Sequence, residues 1–162
     1  MAEWIDLRTP TGKLKSMLDP SHQQLVIQLH LLATLFMTGI VWYNQIVGYP
    51  SLRFIANDQQ ENAAQFLRKR AGWIVRPIML IELGTAILLM GSSWVMRYGN
   101  YLWVNLALLL FIWGVTFLKM VPLNRQLVAQ FDEETIKSLV TVNWVRTILW
   151  TVRVGLLLSF LG

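Results

Sequence analysis

Three charged side chains interrupt stretches of this chain that are otherwise apolar: Glu82, Arg146 and Arg153, with Asn44, Gln45, Arg76 and Asn143 toward one end of the same stretches. On insertion scales a charge at a bilayer centre costs about 2.5–3.5 kcal/mol, so such groups are expected to face a bundle interior, a water-filled cavity or an opposite charge. Glu82 is the one acidic residue inside an apolar run, which makes it the natural partner of Arg146 or Arg153. Two roles fit it: an ion pair that fixes helix packing, or a catalytic, proton-relaying or ligand-orienting carboxylate. Stepping 100° per residue, Asn143, Arg146, Trp150 and Arg153 fall within an arc of about 80°, so this stripe should face inward. The candidate ligand-binding or structural seam is thus Asn44, Gln45, Glu82, Asn143, Arg146, Trp150 and Arg153. Arg76 lies close enough to a run's end to snorkel to the interface.

His30 is the one histidine inside an apolar run, on one face with Thr34, Val41 and Gln45. A lone imidazole offers one axial ligand to a porphyrin or metal, and His22, on the same helix near the membrane surface, is poorly placed as the second. A hydrogen-bonded packing role is the plainer reading, and no cofactor is expected. Cysteine is absent, which excludes thiol redox catalysis, a disulfide and thiolate metal sites. No glycine-rich phosphate loop and no serine with an adjacent base is visible.

The elements that must position these groups are four apolar stretches, roughly 24–48, 73–95, 101–122 and 139–161, which fill most of the 162 residues. Each matches the ~20 residues a helix needs to cross ~30 Å of hydrocarbon. Hydrophobic residues make up 55% of the chain and charged residues 14%, well below the ~25% charged of a soluble domain. The expected fold is therefore an all-α, four-transmembrane-helix bundle in one integral membrane domain, with helical extensions on one side. The net charge of +5 falls mainly at span ends, where it suits lipid headgroups rather than nucleic acid. Residues 1–19 mix apolar and basic side chains as an interfacial segment does, and lack the pattern of a cleavable signal peptide.

Asp19-Pro20 reads as cap and first turn of helix 1, which Gly48-Tyr49-Pro50 should end. Asn57 or Asp58 is the expected cap of a helix running through Trp73 into span 2, with Pro77 kinking it. Arg97-Tyr98-Gly99-Asn100 reads as a tight turn between spans 2 and 3, and Asp132-Glu133-Glu134-Thr135 as the acidic first turn of helix 4. Trp42, Trp73, Trp103 and Trp144 fall near span ends, as aromatic belts do. Arg53, Arg68, Lys69, Arg70, Lys119, Arg125 and Lys137 flank one side, against Arg8, Lys13, Lys15 and Arg97 on the other. The positive-inside rule then places the long links in the cytoplasm and both termini outside.

An internal echo accompanies this layout. Trp73, Glu82 and Gly84 repeat the spacing of Trp144, Arg153 and Gly155, and Pro50 with Arg53 precedes the first set much as Pro122 with Arg125 precedes the second. Two tandem helix hairpins would put Glu82 and Arg153 at equivalent depths, facing one axis.

Asn44-Gln45-Ile46-Val47-Gly48-Tyr49-Pro50, Pro77 with Glu82, Pro122-Leu123-Asn124-Arg125 and Asn143-Trp144-Val145-Arg146-Thr147 together resemble segments of small bacterial four-helix membrane proteins, the anthrone-oxygenase-like group. The resemblance covers residues 24–161 and implies the same fold in a bacterial inner membrane. Histidines that the group carries at the position of Gly48 and near spans 2 and 3 are missing, so histidine-bound metal and oxygenase activity do not carry over. The expected function is that of an accessory or structural membrane protein that holds a lipid-like or small hydrophobic ligand on its polar seam. The alternatives are a membrane-embedded oxygenase or isomerase using Glu82, with Arg146 or Asn143 orienting substrate, and an oligomeric transporter. Expected partners are the lipid bilayer and other membrane subunits or further copies of the chain.

Overall fold

The computed structural model describes residues 19–56 and 58–161, and the interfacial segment expected at 1–19 lies, apart from Asp19, outside them. Among the described residues the chain is helical with no strand, and forms four antiparallel rods. The first comprises α1 (Pro20–Tyr43), a π segment (Asn44–Gly48), a single turn α2 (Tyr49–Ser51) and a 3₁₀ turn (Leu52–Phe54). The second is α3 (Gln60–Met90); the third is α4 (Trp94–Val115), a π segment (Thr116–Met120) and α5 (Val121–Ala129); the fourth is α6 (Glu133–Leu161). The first three are long and apolar enough to cross a membrane. The fourth, with Arg146 and Arg153 on it, has comparable length.

Helix 1 does not end at Gly48-Tyr49-Pro50, contrary to the sequence expectation. A proline ring normally collides with the carbonyl four residues back. Here that carbonyl belongs to Ile46, within the π segment, where the Tyr49 N–H reaches back five residues to Asn44 instead of four. The wider turn makes room for the ring. Pro122 is accommodated in the same way, its predecessor Leu118 lying in the second π segment. The two halves of the chain thus carry one device in corresponding places.

Two other boundaries differ. The turn between the second and third rods is Gly91–Ser93, not Arg97–Asn100. Ser92 Oγ donates to the Leu89 carbonyl at 2.6 Å and Ser93 Oγ to Gln23 Oε1 at 2.7 Å, so hydroxyls close the turn. The polar, glycine-containing 97–100 segment survives as a kink inside α4, with Tyr98 at φ −124°, ψ 20°. The N-cap of α3 is Gln59, and neither it nor Asp19 makes a side-chain cap bond; Asn57 is outside the described residues. Asp132 does cap α6, its carboxylate accepting the Thr135 N–H at 2.7 Å and the Thr135 hydroxyl at 2.6 Å.

In cross-section the rods form a ring in which α1 packs on α3 and α6, and α4 packs on the same two. Helices α1 and α4 therefore face each other across one diagonal, α3 and α6 across the other. Outward faces carry Leu32, Phe36, Leu80, Phe111, Leu118 and Ile148, all exposed, while Glu82, Asn105, Asn143, Arg146 and Arg153 are buried beside the apolar core. An apolar exterior around buried charges departs from the pattern of a water-soluble bundle. The interior is layered along the axis. Val26, Ile27, Leu89, Leu102 and Leu157 form an apolar layer at one end, and Met37, Val41, Met79, Ile112 and Trp150 form a second. Leu52, Ala64, Met120, Leu127, Ile136 and Leu139 form a third at the other end.

Candidate functional site

Between the first two apolar layers the four rods each contribute polar side chains: His30 and Thr34 from α1, Glu82 and Thr85 from α3, Asn105 from α4, and Arg153 from α6. Glu82 and Arg153 are 0% exposed and meet in an ion pair through Oε1 and Nη1, bridging the α3–α6 diagonal. Thr34 Oγ1 and Trp150 Nε1 donate to the same Glu82 oxygen at 3.0 and 3.1 Å. The α1–α4 diagonal is bridged in the same plane by His30 Nε2, 3.3 Å from Asn105 Oδ1. Arg153 ties the diagonals together, donating to Asn105 Oδ1 through Nε at 3.2 Å and Nη2 at 2.9 Å.

The Thr85 hydroxyl is committed by its own helix. Thr85 Oγ1 donates to the Ile81 carbonyl at 2.7 Å and lies 2.9 Å from His30 Nδ1. Both ring nitrogens of His30 thus face side-chain partners inside the cluster, Nε2 also lying 3.4 Å from Arg153 Nη2. Three donors converge on one oxygen of Glu82, and Oε2 has no hydrogen-bond partner. Glu82 lines neither of the two cavities described below.

A second polar level lies on the other side of the Met37–Trp150 layer. Asn143 Nδ2 donates to Gln45 Oε1 at 2.9 Å and to the Val41 carbonyl at 3.1 Å, at the entry to the first π segment. Thr147, also fully buried, lies within 3.3 Å of Asn143 Nδ2. Arg146 is 6% exposed and donates through Nη1 to Asn143 Oδ1 at 3.2 Å. Its guanidinium stacks 5.2 Å from the centre of the Trp150 ring, beside the Tyr49 hydroxyl, while its Nε has no partner. No carboxylate reaches it among the described residues. The seven residues from Arg146 to Arg153 separate the two levels by about 10 Å along α6.

Two adjoining cavities of about 280 and 240 Å³ open at this second level, between the end of the first rod, α3 and α5. They share Ile40, Asn44, Tyr49, Arg68, Val75 and Asn124, and so make one cleft. Arg146 lies on its wall, with Arg68, Arg70, Arg76 and Arg125 around it, and among the described residues no Asp or Glu lines it. Both π segments border the cleft, as π-bulges at functional sites often do. Two glycines shape it. A Cβ on Gly48 would lie 2.7 Å from Asn44 Oδ1, and one on Gly72 would lie 3.3 Å from Arg76 Nη2. Arg76 folds back one turn over Gly72, which holds its charge at the rim.

The structure divides the sequence-predicted seam in two. Glu82, Trp150 and Arg153 meet at the central level; Gln45, Asn143 and Arg146 meet at the second; Asn44 lines the cleft. Sequence reasoning missed Asn105, Thr85 and Tyr49. Asn105 had a signal, since it is the one amide inside the 101–122 run. Thr85 and Tyr49 had none, because threonine and tyrosine are ordinary in spans and belts. Compared with protein-family models, curated proteins and solved structures, the chain matches none.

Proposed function

We propose that this chain is a multi-pass membrane protein that binds a small amphipathic, lipid-like ligand in the cleft between the first rod, α3 and α5, and that Glu82–Arg153 pins the bundle rather than performing catalysis. The cleft carries this reading: it is open and largely apolar, while Glu82 is enclosed between two apolar layers and borders neither lobe of the cleft. Three rods of sufficient length and apolarity, and exposed Leu and Phe outside a polar interior, support membrane insertion. Crossing by all four rods, with long links in the cytoplasm as the Lys and Arg distribution suggests, would put the cleft near the cytoplasmic headgroup level. At 240–280 Å³ each, its two lobes approach the ~300 Å³ at which small-molecule pockets begin.

An acid or base at Glu82 would need a route for substrate, and the Trp150 layer separates it from the cleft. The test is lipid mass spectrometry on protein purified from native membranes, comparing the natural chain with Ala71→Trp, which fills a position lining both lobes. The expected result is a lipid-like species enriched over its bulk membrane share and lost from the variant. Identical bulk-like profiles from both proteins would refute ligand binding in the cleft.

A further inference from the structure

The two buried arginines of α6 differ in one respect. Arg153 has its counter-anion in the chain, Glu82, and spreads its remaining donors over Asn105. Arg146 is only 6% exposed, yet its neighbours are an amide oxygen, a phenol and an indole face, and its Nε is unsatisfied. A buried guanidinium without an anion is an incomplete arrangement, because its charge is desolvated and nothing nearby neutralises it. The wall it occupies belongs to the cleft, which among the described residues carries four further arginines and no carboxylate.

Resting on the amphiphile reading above, we infer that the ligand is an anionic membrane amphiphile whose phosphate or carboxylate oxygens are seated by Arg146, with its chain along the apolar walls of the cleft. Guanidinium groups match such oxyanions through two parallel N–H donors. Arg76, held over Gly72, and Arg125 stand at the same lobe as Arg146 and add attraction at the rim. The apolar lining, from Ile40, Val75, Met79 and Phe117, suits an acyl chain rather than a fully hydrated ion.

The test uses the full chain in an uncharged detergent and native mass spectrometry with three probes: a long-chain monoacylglycerol phosphate, the uncharged monoacylglycerol of equal chain length, and inorganic phosphate. The phosphate-headed amphiphile should bind at least tenfold tighter than its neutral analogue. Arg146→Gln should abolish that preference, and Arg76→Gln should reduce it several-fold; if Arg146→Gln does not fold, Arg76→Gln combined with Arg125→Gln should reduce it further than Arg76→Gln alone. Equal binding of the two amphiphiles, or a preference that these substitutions leave unchanged, overturns the anion inference and leaves lipid binding in the cleft standing. Displacement of the amphiphile by inorganic phosphate at comparable affinity assigns the site to a free anion and overturns the lipid source. Failure of both amphiphiles to bind overturns this inference and the function proposed above together.

Discussion

Replacing Glu82 by Gln isolates the charge at the centre of the bundle from its shape. The amide keeps an oxygen where Thr34, Trp150 and Arg153 converge, so those hydrogen bonds can persist, and the new NH₂ takes the place of Oε2, which has no partner. What disappears is the negative charge opposite a fully buried Arg153. Breaking one side of a buried ion pair costs about 3–5 kcal/mol, which is at least a fifth of a stability of roughly 5–15 kcal/mol and up to the whole of it. The variant should therefore unfold at much lower temperature or denaturant in detergent, or fail to accumulate in membranes. Because the cost is an uncompensated charge, a second substitution should relieve it: Glu82→Gln with Arg153→Met removes both charges and fills the space. Well-packed apolar replacements of buried pairs are often neutral or stabilising, so the double variant should recover most of the loss. Thermal unfolding of the four proteins of the cycle, followed by size-exclusion recovery, reads the coupling. If the single substitution is silent, or the double variant is no more stable than Glu82→Gln, the pair is not the pin that holds the rods together.

Three smaller tests probe the surroundings. Trp150→Phe keeps a ring under Arg146 but deletes the N–H bond to Glu82, and hydrogen bonds to charged groups predict a loss of about 1.5–3 kcal/mol in chemical unfolding. Gly48→Ala should destabilise the natural chain measurably but have a smaller effect beside Asn44→Ala, since its Cβ meets only the Asn44 side chain; thermal shifts of the four combinations decide. The hydrogen bonds from Thr135 hold the Asp132 carboxyl below its ordinary value, the hydroxyl contributing most. A lowered folded-state pKa means that the cap's contribution is complete above the ordinary carboxylate range near 3.9 and fades as pH falls through the lower folded value. Amide exchange at residues 133–136 should accordingly speed up only in that acid window, and Asp132→Asn, which can still accept the Thr135 N–H, should remove the pH dependence.

The sequence made the helical periods and the inward stripe of α6 legible because hydropathy and a 100° step report directly on which side of a helix faces the bundle interior. Asn143, Arg146, Trp150 and Arg153 are buried together for that reason. The same logic could not choose the partner of Glu82. Arg146 and Arg153 lie on one stripe, and the choice depends on axial register between α3 and α6, which are diagonal and so not fixed by any direct packing seam. Register is set instead through α1 and α4, whose own polar diagonal, His30 to Asn105, meets the ion pair in one plane. A single Asn in α4 was therefore the missing coordinate, and its role exists only once four helices are assembled. Pro50 and Pro122 show the opposite limit. Read locally each should stop a helix, yet each follows a π segment that widens the turn it would otherwise clash with. The widening also opens the backbone beside the arginine-lined cleft. The feature that hid the true end of the first rod is thus the one that shapes the candidate ligand site, and restoring a regular helix there should close the cleft while leaving the Glu82 layer intact.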